Sequence, residues 1–174
     1  MDPRWIIPFA ANLLLIVIAR EANHHLAQVG VSILLGGLVL PVVALRLSQG
    51  PGLLVVVLTG LAMDALGPAA FGSSAILLAA ALLALRAIRH RLMRESMSTH
   101  FAVALLANLL LFVAQPILGG SISAYATSTP SRIVVDLLLS QVAVIALAWW
   151  FFALQGRALV LWGVNLSEEM RQDH

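Results

Sequence analysis

In the stretch GLAMDALGPAAFGSS, residues 60–74, an aspartate stands between two long apolar runs and is followed by Gly67, Pro68 and Gly72. A carboxylate in such a place could relay a proton, anchor a ligand, meet a partner or neutralise an arginine. Other charged residues beside the apolar runs are few: Arg20 and Glu21 close the first run, and Arg132 and Asp136 open the last. Glu21, His24 and His25 form an E-x-x-H-H spacing that lacks a third ligand on the helix face and is not the H-E-x-x-H pattern, so no metal is expected there. The serines of FGSSA and GGSIS lie in no G-x-S-x-G elbow, and the chain has no cysteine, so neither a serine nor a thiol nucleophile is indicated. The expectation is a protein without catalysis, cofactor or metal.

The elements that must position these residues are membrane helices. The 174 residues are 61% hydrophobic and 10% charged, with a mean hydropathy of +0.99, whereas soluble domains use about 45–50% apolar residues. This composition implies an all-α, polytopic membrane protein. The net charge of +2 comes with arginines and no lysine, in a chain too apolar to present a nucleic-acid face, so anionic lipid headgroups are the fitting counterpart. At about 20 residues per crossing, the length accommodates one integral membrane domain over residues 1–174, with six spans near 4–20, 29–47, 52–66, 73–88, 99–118 and 132–150. The first and third are short, about 15 residues or 22 Å of helix.

Placing the N-terminus inside puts Arg4, Arg46, Arg86, Arg89, Arg91, Arg94, Arg157 and Arg171 on the cytoplasmic side and only Arg20 and Arg132 outside. Both termini are therefore expected in the cytoplasm. Trp5, Trp149, Trp150 and Trp162 then fall near the inner interface, where an indole keeps its N–H wet. No internal repeat and no inverted pair of broken helices marks the chain as a secondary transporter.

This topology gathers Arg20, Glu21, Asp64, Arg132 and Asp136 in the outer leaflet. A charge at membrane depth costs at least a few kcal/mol unless paired or wetted. Asp64 also sits in the last turn of its helix, where unpaired carbonyls disfavour a carboxylate by roughly 0.3–1 kcal/mol. Arg132 and Asp136 are four apart and can pair with each other, which leaves Arg20 as the natural partner of Asp64, with Arg132 the other candidate. The expectation is an ion-paired network of Asp64, Arg20, Arg132 and Asp136 tying three spans together. Gly67 is expected to take the left-handed conformation, Pro68 to stop the helix and Ser73 or Ser74 to cap the next one.

Candidate partner contacts follow from small and basic residues. Ser32 and Gly36 lie four apart on the second span, beside Gly37, and offer either internal packing or a groove for a partner's helix. The run RAIRHRLMRES places Arg89, Arg91 and Arg94 where they can meet anionic headgroups or a cytoplasmic partner. Asn12, Asn108 and Gln115 sit inside spans and are expected to bond to other helices or to backbone.

The segment from Gly60 to Ser96, GLAMDALGPAAFGSSAILLAAALLALRAIRHRLMRES, resembles the central part of the rod shape-determining MreD family. The match is carried by Asp64, Gly67 and Gly72 ahead of another apolar helix and a basic loop. The resemblance implies a multi-pass protein of the bacterial inner membrane that acts in cell elongation without chemistry of its own. Its partners would be the bitopic scaffold MreC and, through it, RodA with a class B penicillin-binding protein and the actin-like MreB, so that peptidoglycan synthesis maintains rod shape. The implied fold is similar to the six-helix substrate-binding subunits of energy-coupling-factor transporters, which makes a vitamin-type binding subunit the alternative. Those subunits carry an Ala-x-x-x-Ala patch on their first helix; here Ala10 and Ala11 are followed four residues on by Leu14 and Leu15.

Overall fold

A computed structural model describes residues 5–67, 70–88, 97–118 and 129–161. The described residues are helical with irregular connections and contain no strand. The helices are α1 (Ile6–Leu26), α2 (Leu40–Arg46), α3 (Gln49–Leu66), α4 (Ser73–Ile88), α5 (Met97–Leu118) and α6 (Pro130–Leu161). Pro8, Pro41, Pro51 and Pro130 fall in first turns, where no intrahelical donor is required, whereas Pro116 lies inside α5, in its last turn.

Among the described residues, four segments are long and apolar enough to cross a membrane: Ile6–Val29, Gln49–Leu66, Ser98–Leu118 and Pro130–Ala158. Two shorter apolar helical segments, Gly36–Arg46 and Ser73–Ala87, accompany them. The surface fits that reading. Leu106, Leu110 and Val113 of α5 and Leu138, Val142 and Ile145 of α6 are exposed, while Asn12, Thr59, Asp64, Asn108, Ser140 and Gln155 are buried. Aliphatic faces of this extent outside and polar groups inside suit a bilayer and not water.

The structure revises the expected spans. The first and third are not short: α1 has 21 residues and α3 has 18, about 31 and 27 Å. The first helix continues beyond Arg20 through Glu21, His24 and His25, which stand exposed on its last turns. The second span is not a continuous helix. Ala27–Val29 is a 3₁₀ turn ended by left-handed Gly30 (φ 72°), residues 31–35 carry no helix, and Gly36–Val39 is a second 3₁₀ turn leading into α2. Gly36 and Gly37 have low helix propensity, which removes local support for a helix there.

That broken segment is the axis of the bundle. Residues 35–45 are all buried. On one side Leu35, Leu38, Val39 and Val42 pack with Leu15 of α1, Ala104 of α5 and Val144, Ala148 and Phe151 of α6. On the other, Leu40, Val43 and Ala44 pack with Val55 and Val56 of α3, Leu78 and Leu82 of α4 and Leu111 of α5. Close approach depends on two glycines. A methyl group at Gly37 would overlap Ala104 and Asn108 of α5, and one at Gly60 would overlap the backbone of Ser74 and Ala75 on α4.

Candidate functional site

The polar groups collect at one end of the bundle, where α3 turns into α4 and the chain unwinds after α1. Asp64 lies in the last turns of α3 and is 4% exposed. Its carboxylate accepts hydrogen bonds from the backbone N–H of Gly72 (2.9 Å) and of Ser74 (3.1 Å) and from the Ser73 hydroxyl (3.4 Å). These donors belong to the first turn of α4 and the residue before it. The acid is therefore neutralised by the next helix's N-terminus, where orphan N–H groups and the positive end of the dipole both favour a negative charge.

The expected ion-pair network does not form. Arg20 donates from Nη1 to the carbonyl of Leu66 at the C-terminus of α3, the negative end of that helix. Asp136 accepts from the Ser32 backbone N–H and hydroxyl, both at 3.1 Å. The Arg132 side chain is exposed, and no ion pair joins these four residues among the described ones. The physical reason is supply. Helix ends and unwound backbone offer unpaired groups at this level of the bundle, and satisfying them inside the fold outweighs pairing two hydrated side chains at a surface.

The turn itself also departs from expectation. Gly67 is extended (φ −107°, ψ 172°), and the left-handed residue is Gly72 (φ 93°). Ser73 and Ser74 do not cap α4 from within; Asp64 caps it from α3. Pro68, Arg89, Arg91 and Arg94 lie outside the described residues.

The unwound segment is held by side chains from three helices. Asn23 of α1 flanks Ile33 like a neighbouring strand, accepting its N–H at 2.7 Å and donating to its carbonyl at 2.8 Å. The Ser140 hydroxyl accepts from the N–H of Leu34 at 2.9 Å and donates to the carbonyl of Asp136 at 2.6 Å. Asn108, fully buried on α5, accepts from the N–H of Gly37 at 3.2 Å. Backbone without helical partners survives at membrane depth only when it is buried and satisfied in this way. Ser32 and Gly36 consequently share no helix face, and Gly36 and Gly37 serve packing inside the bundle and not a lipid-facing groove.

No protein-family profile, curated protein or solved structure matches this chain. Its function has to be read from the site.

Beside the unwound segment lies a cleft of about 250 Å³ between α1, residues 33–36 and the end of α3. Leu15, Ile16, Ala19, Val39 and Met63 line it with hydrocarbon, and Arg20 and Asn23 are its polar lining residues. Sequence reasoning had no signal for the cleft, nor for Asn23 and Ser140 as backbone partners.

The opposite end is fastened by a second cross-helix cap. Arg86 of α4 donates from Nη2 to the carbonyls of Leu47 and Ser48, both at 3.0 Å, where α2 ends. Gly52 leaves room for that guanidinium, since a methyl group there would overlap it. In the bundle interior, Asn12 donates to Thr59 (3.3 Å) and accepts from Gln155 (3.4 Å), linking α1, α3 and α6. Asn12 and Asn108 thus bond across helices or to backbone as their types predict, whereas Gln115 makes no such bond among the described residues. Glu21 pairs with His25 at 3.4 Å on the exposed face of α1, and no group of three metal-ligating side chains occurs among the described residues.

Proposed function

We propose that this chain is a non-catalytic scaffold of the bacterial inner membrane, of the rod shape-determining MreD kind. It would bind the single membrane span of MreC and, through it, place RodA with its penicillin-binding protein partner and MreB in a fixed arrangement. The reading is supported above all by where the carboxylates go. Asp64 and Asp136, the acids inside the bundle's apolar stretch, are both spent on backbone N–H groups of their own chain. Such an arrangement makes a rigid corner and leaves recognition to helix surfaces.

Six crossings with both termini in the cytoplasm agree with the path of the broken segment. Ser32 meets Asp136 near the start of α6, and the Arg46 guanidinium approaches Gly156 twenty residues further along the same helix, about 30 Å of axis. The non-helical stretch at residues 31–35 lets this segment traverse a hydrocarbon core of about 30 Å with few helical residues. The arginine asymmetry then sets the orientation.

The vitamin-binding alternative is less well supported by the cleft. Both faces of the Asn23 amide are occupied by Ile33, so beyond Arg20 its lining offers little to read a heteroatom-rich ligand. The experiment that tests the scaffold reading is copurification in mild detergent with MreC from co-expressing cells. Capture of MreC is the expected result. Absence of MreC together with a rise in unfolding temperature on adding a vitamin would replace the scaffold by a binding subunit.

A further inference from the structure

We propose that the cleft between α1, the unwound segment and the end of α3 seats one acyl chain of an anionic phospholipid, with the phosphate held by Arg20. The inference needs the chain to be a membrane protein and does not rest on the scaffold reading. Four observations lead to it.

The cleft is short. Its lining on α1 runs from Leu15 to Asn23, eight residues or about 12 Å of axis, and includes Leu15 and Val39, which are 3% and 1% exposed. A partner's membrane helix would need a groove along the full height of the bundle, about 30 Å. A chain end fits a cleft of this length, and a crossing helix does not.

Its wall is aliphatic. Leu15, Ile16, Ala19, Leu35, Val39 and Met63 present hydrocarbon, and the amide of Asn23 is already engaged on both sides. Water in such a cleft would find few partners, whereas a hydrocarbon chain fills it without stranding a polar group. Lipid chains are the apolar ligand present at high local concentration.

The rim is cationic. Arg20 lines the cleft and is exposed, and no carboxylate among the described residues pairs with it. Among the described residues its one hydrogen bond runs to the Leu66 carbonyl, which leaves further guanidinium donors in a planar fork suited to phosphate. Glu21, the adjacent acid, is turned to His25.

The level is right. No charged residue precedes Arg20 between residues 5 and 19 of α1, and Glu21, His24 and His25 beyond it are exposed. The guanidinium therefore sits where hydrocarbon gives way to headgroups, with the cleft below it.

The test uses the full-length protein, delipidated in detergent and titrated with dioleoyl phosphatidylglycerol or dioleoyl phosphatidylcholine, with bound lipid counted by native mass spectrometry. The wild type is expected to hold one phosphatidylglycerol about tenfold more tightly than phosphatidylcholine. Arg20→Lys should keep that preference within about threefold, and Arg20→Gln should reduce it to the phosphatidylcholine level. Ala19→Trp, which fills the cleft and leaves the charge, should lose tight binding of either lipid; its unfolding temperature reports whether the variant is folded, and Arg20→Gln, on an exposed side chain, carries the test if it is not. Inorganic phosphate should not displace the lipid. Equal affinity for the two lipids, an undiminished preference in Arg20→Gln, displacement by inorganic phosphate, or a second protein copy in place of the lipid adduct would each overturn the assignment.

Discussion

Two carboxylates near the same end of the bundle do the same job over very different distances along the chain. Asp64 satisfies N–H groups eight to ten residues away, at the start of the next helix. Asp136 satisfies Ser32, 104 residues away, in the backbone that unwinds after α1. The first closes a hairpin whose helices are otherwise regular; the second, with Asn23, Ser140 and Asn108, supports backbone that has no regular structure. Asp64 is buried with the Ser74 N–H, so its loss strands a polar group inside the bundle, as loss of the buried Asn108 or Ser140 would. Asp136 and Ser32 are partly open, and water can take over their bond.

The comparison breaks most severely at the glycines. Gly37→Val pushes a side chain into the backbone of Ala104 and Asn108, and should destabilise the bundle by about 3 kcal/mol, because a packed helix can move only as a whole. Gly60→Val should cost about as much by forcing α4 away from α3 at Ser74 and Ala75. Unfolding in detergent followed by circular dichroism measures both. A Gly37→Val protein as stable as wild type would show that the broken segment does not pack on α5.

Next in size is Asp64→Ala, which leaves the buried Ser74 N–H and the Gly72 N–H without an acceptor and should cost about 2 kcal/mol. Asp64→Asn keeps one oxygen acceptor and loses the charge, and about 1 kcal/mol is expected. The Ala variant matching the Asn variant would mean that charge alone, and not acceptor geometry, holds the hairpin.

Asp136→Ala should have a smaller and more local effect, about 1 kcal/mol, since Ser32 and Asp136 are partly open to solvent. Hydrogen exchange is the sharper measurement here. Amides of residues 32–34 should exchange faster while α3 and α4 keep their protection. Equal acceleration throughout would make the two regions one cooperative unit.

What the sequence disclosed follows the same division between local and distant. Apolar runs of span length and an aspartate ahead of a glycine turn are local signals, and most of the helices and the Asp64 hairpin are legible from them. The break after Gly30 is not. Val31–Leu35 is as apolar as its surroundings, and the residues that make an extended path tolerable there, Asn23, Asn108, Asp136 and Ser140, lie on other helices. Each taken alone reads as an ordinary interhelical hydrogen-bonding group. Only Ser32, Gly36 and Gly37 hinted at weak helix propensity, and small residues in membrane spans more often mean close packing. The charge network failed for a related reason. Arg20 and Asp64 were matched by sign, whereas the fold matches each of them to the end of a helix.

The smallest effect separates those two descriptions most cleanly. If Asp64 is held by the α4 N-terminus and Arg20 by the α3 C-terminus, as the hydrogen bonds show, the two side chains act on different helix ends. A double-mutant cycle with Arg20→Gln and Asp64→Asn should then give a coupling energy below about 0.5 kcal/mol, although the Asp64 change alone costs more than that. An ion pair in a partly buried site would instead give about 1 kcal/mol or more, and the two single losses would fail to add. High salt supplies an independent check. Screening weakens a pair between exposed charges and scarcely alters a buried carboxylate bonded to backbone N–H groups, so the penalty of Asp64→Asn should be the same at low and high ionic strength.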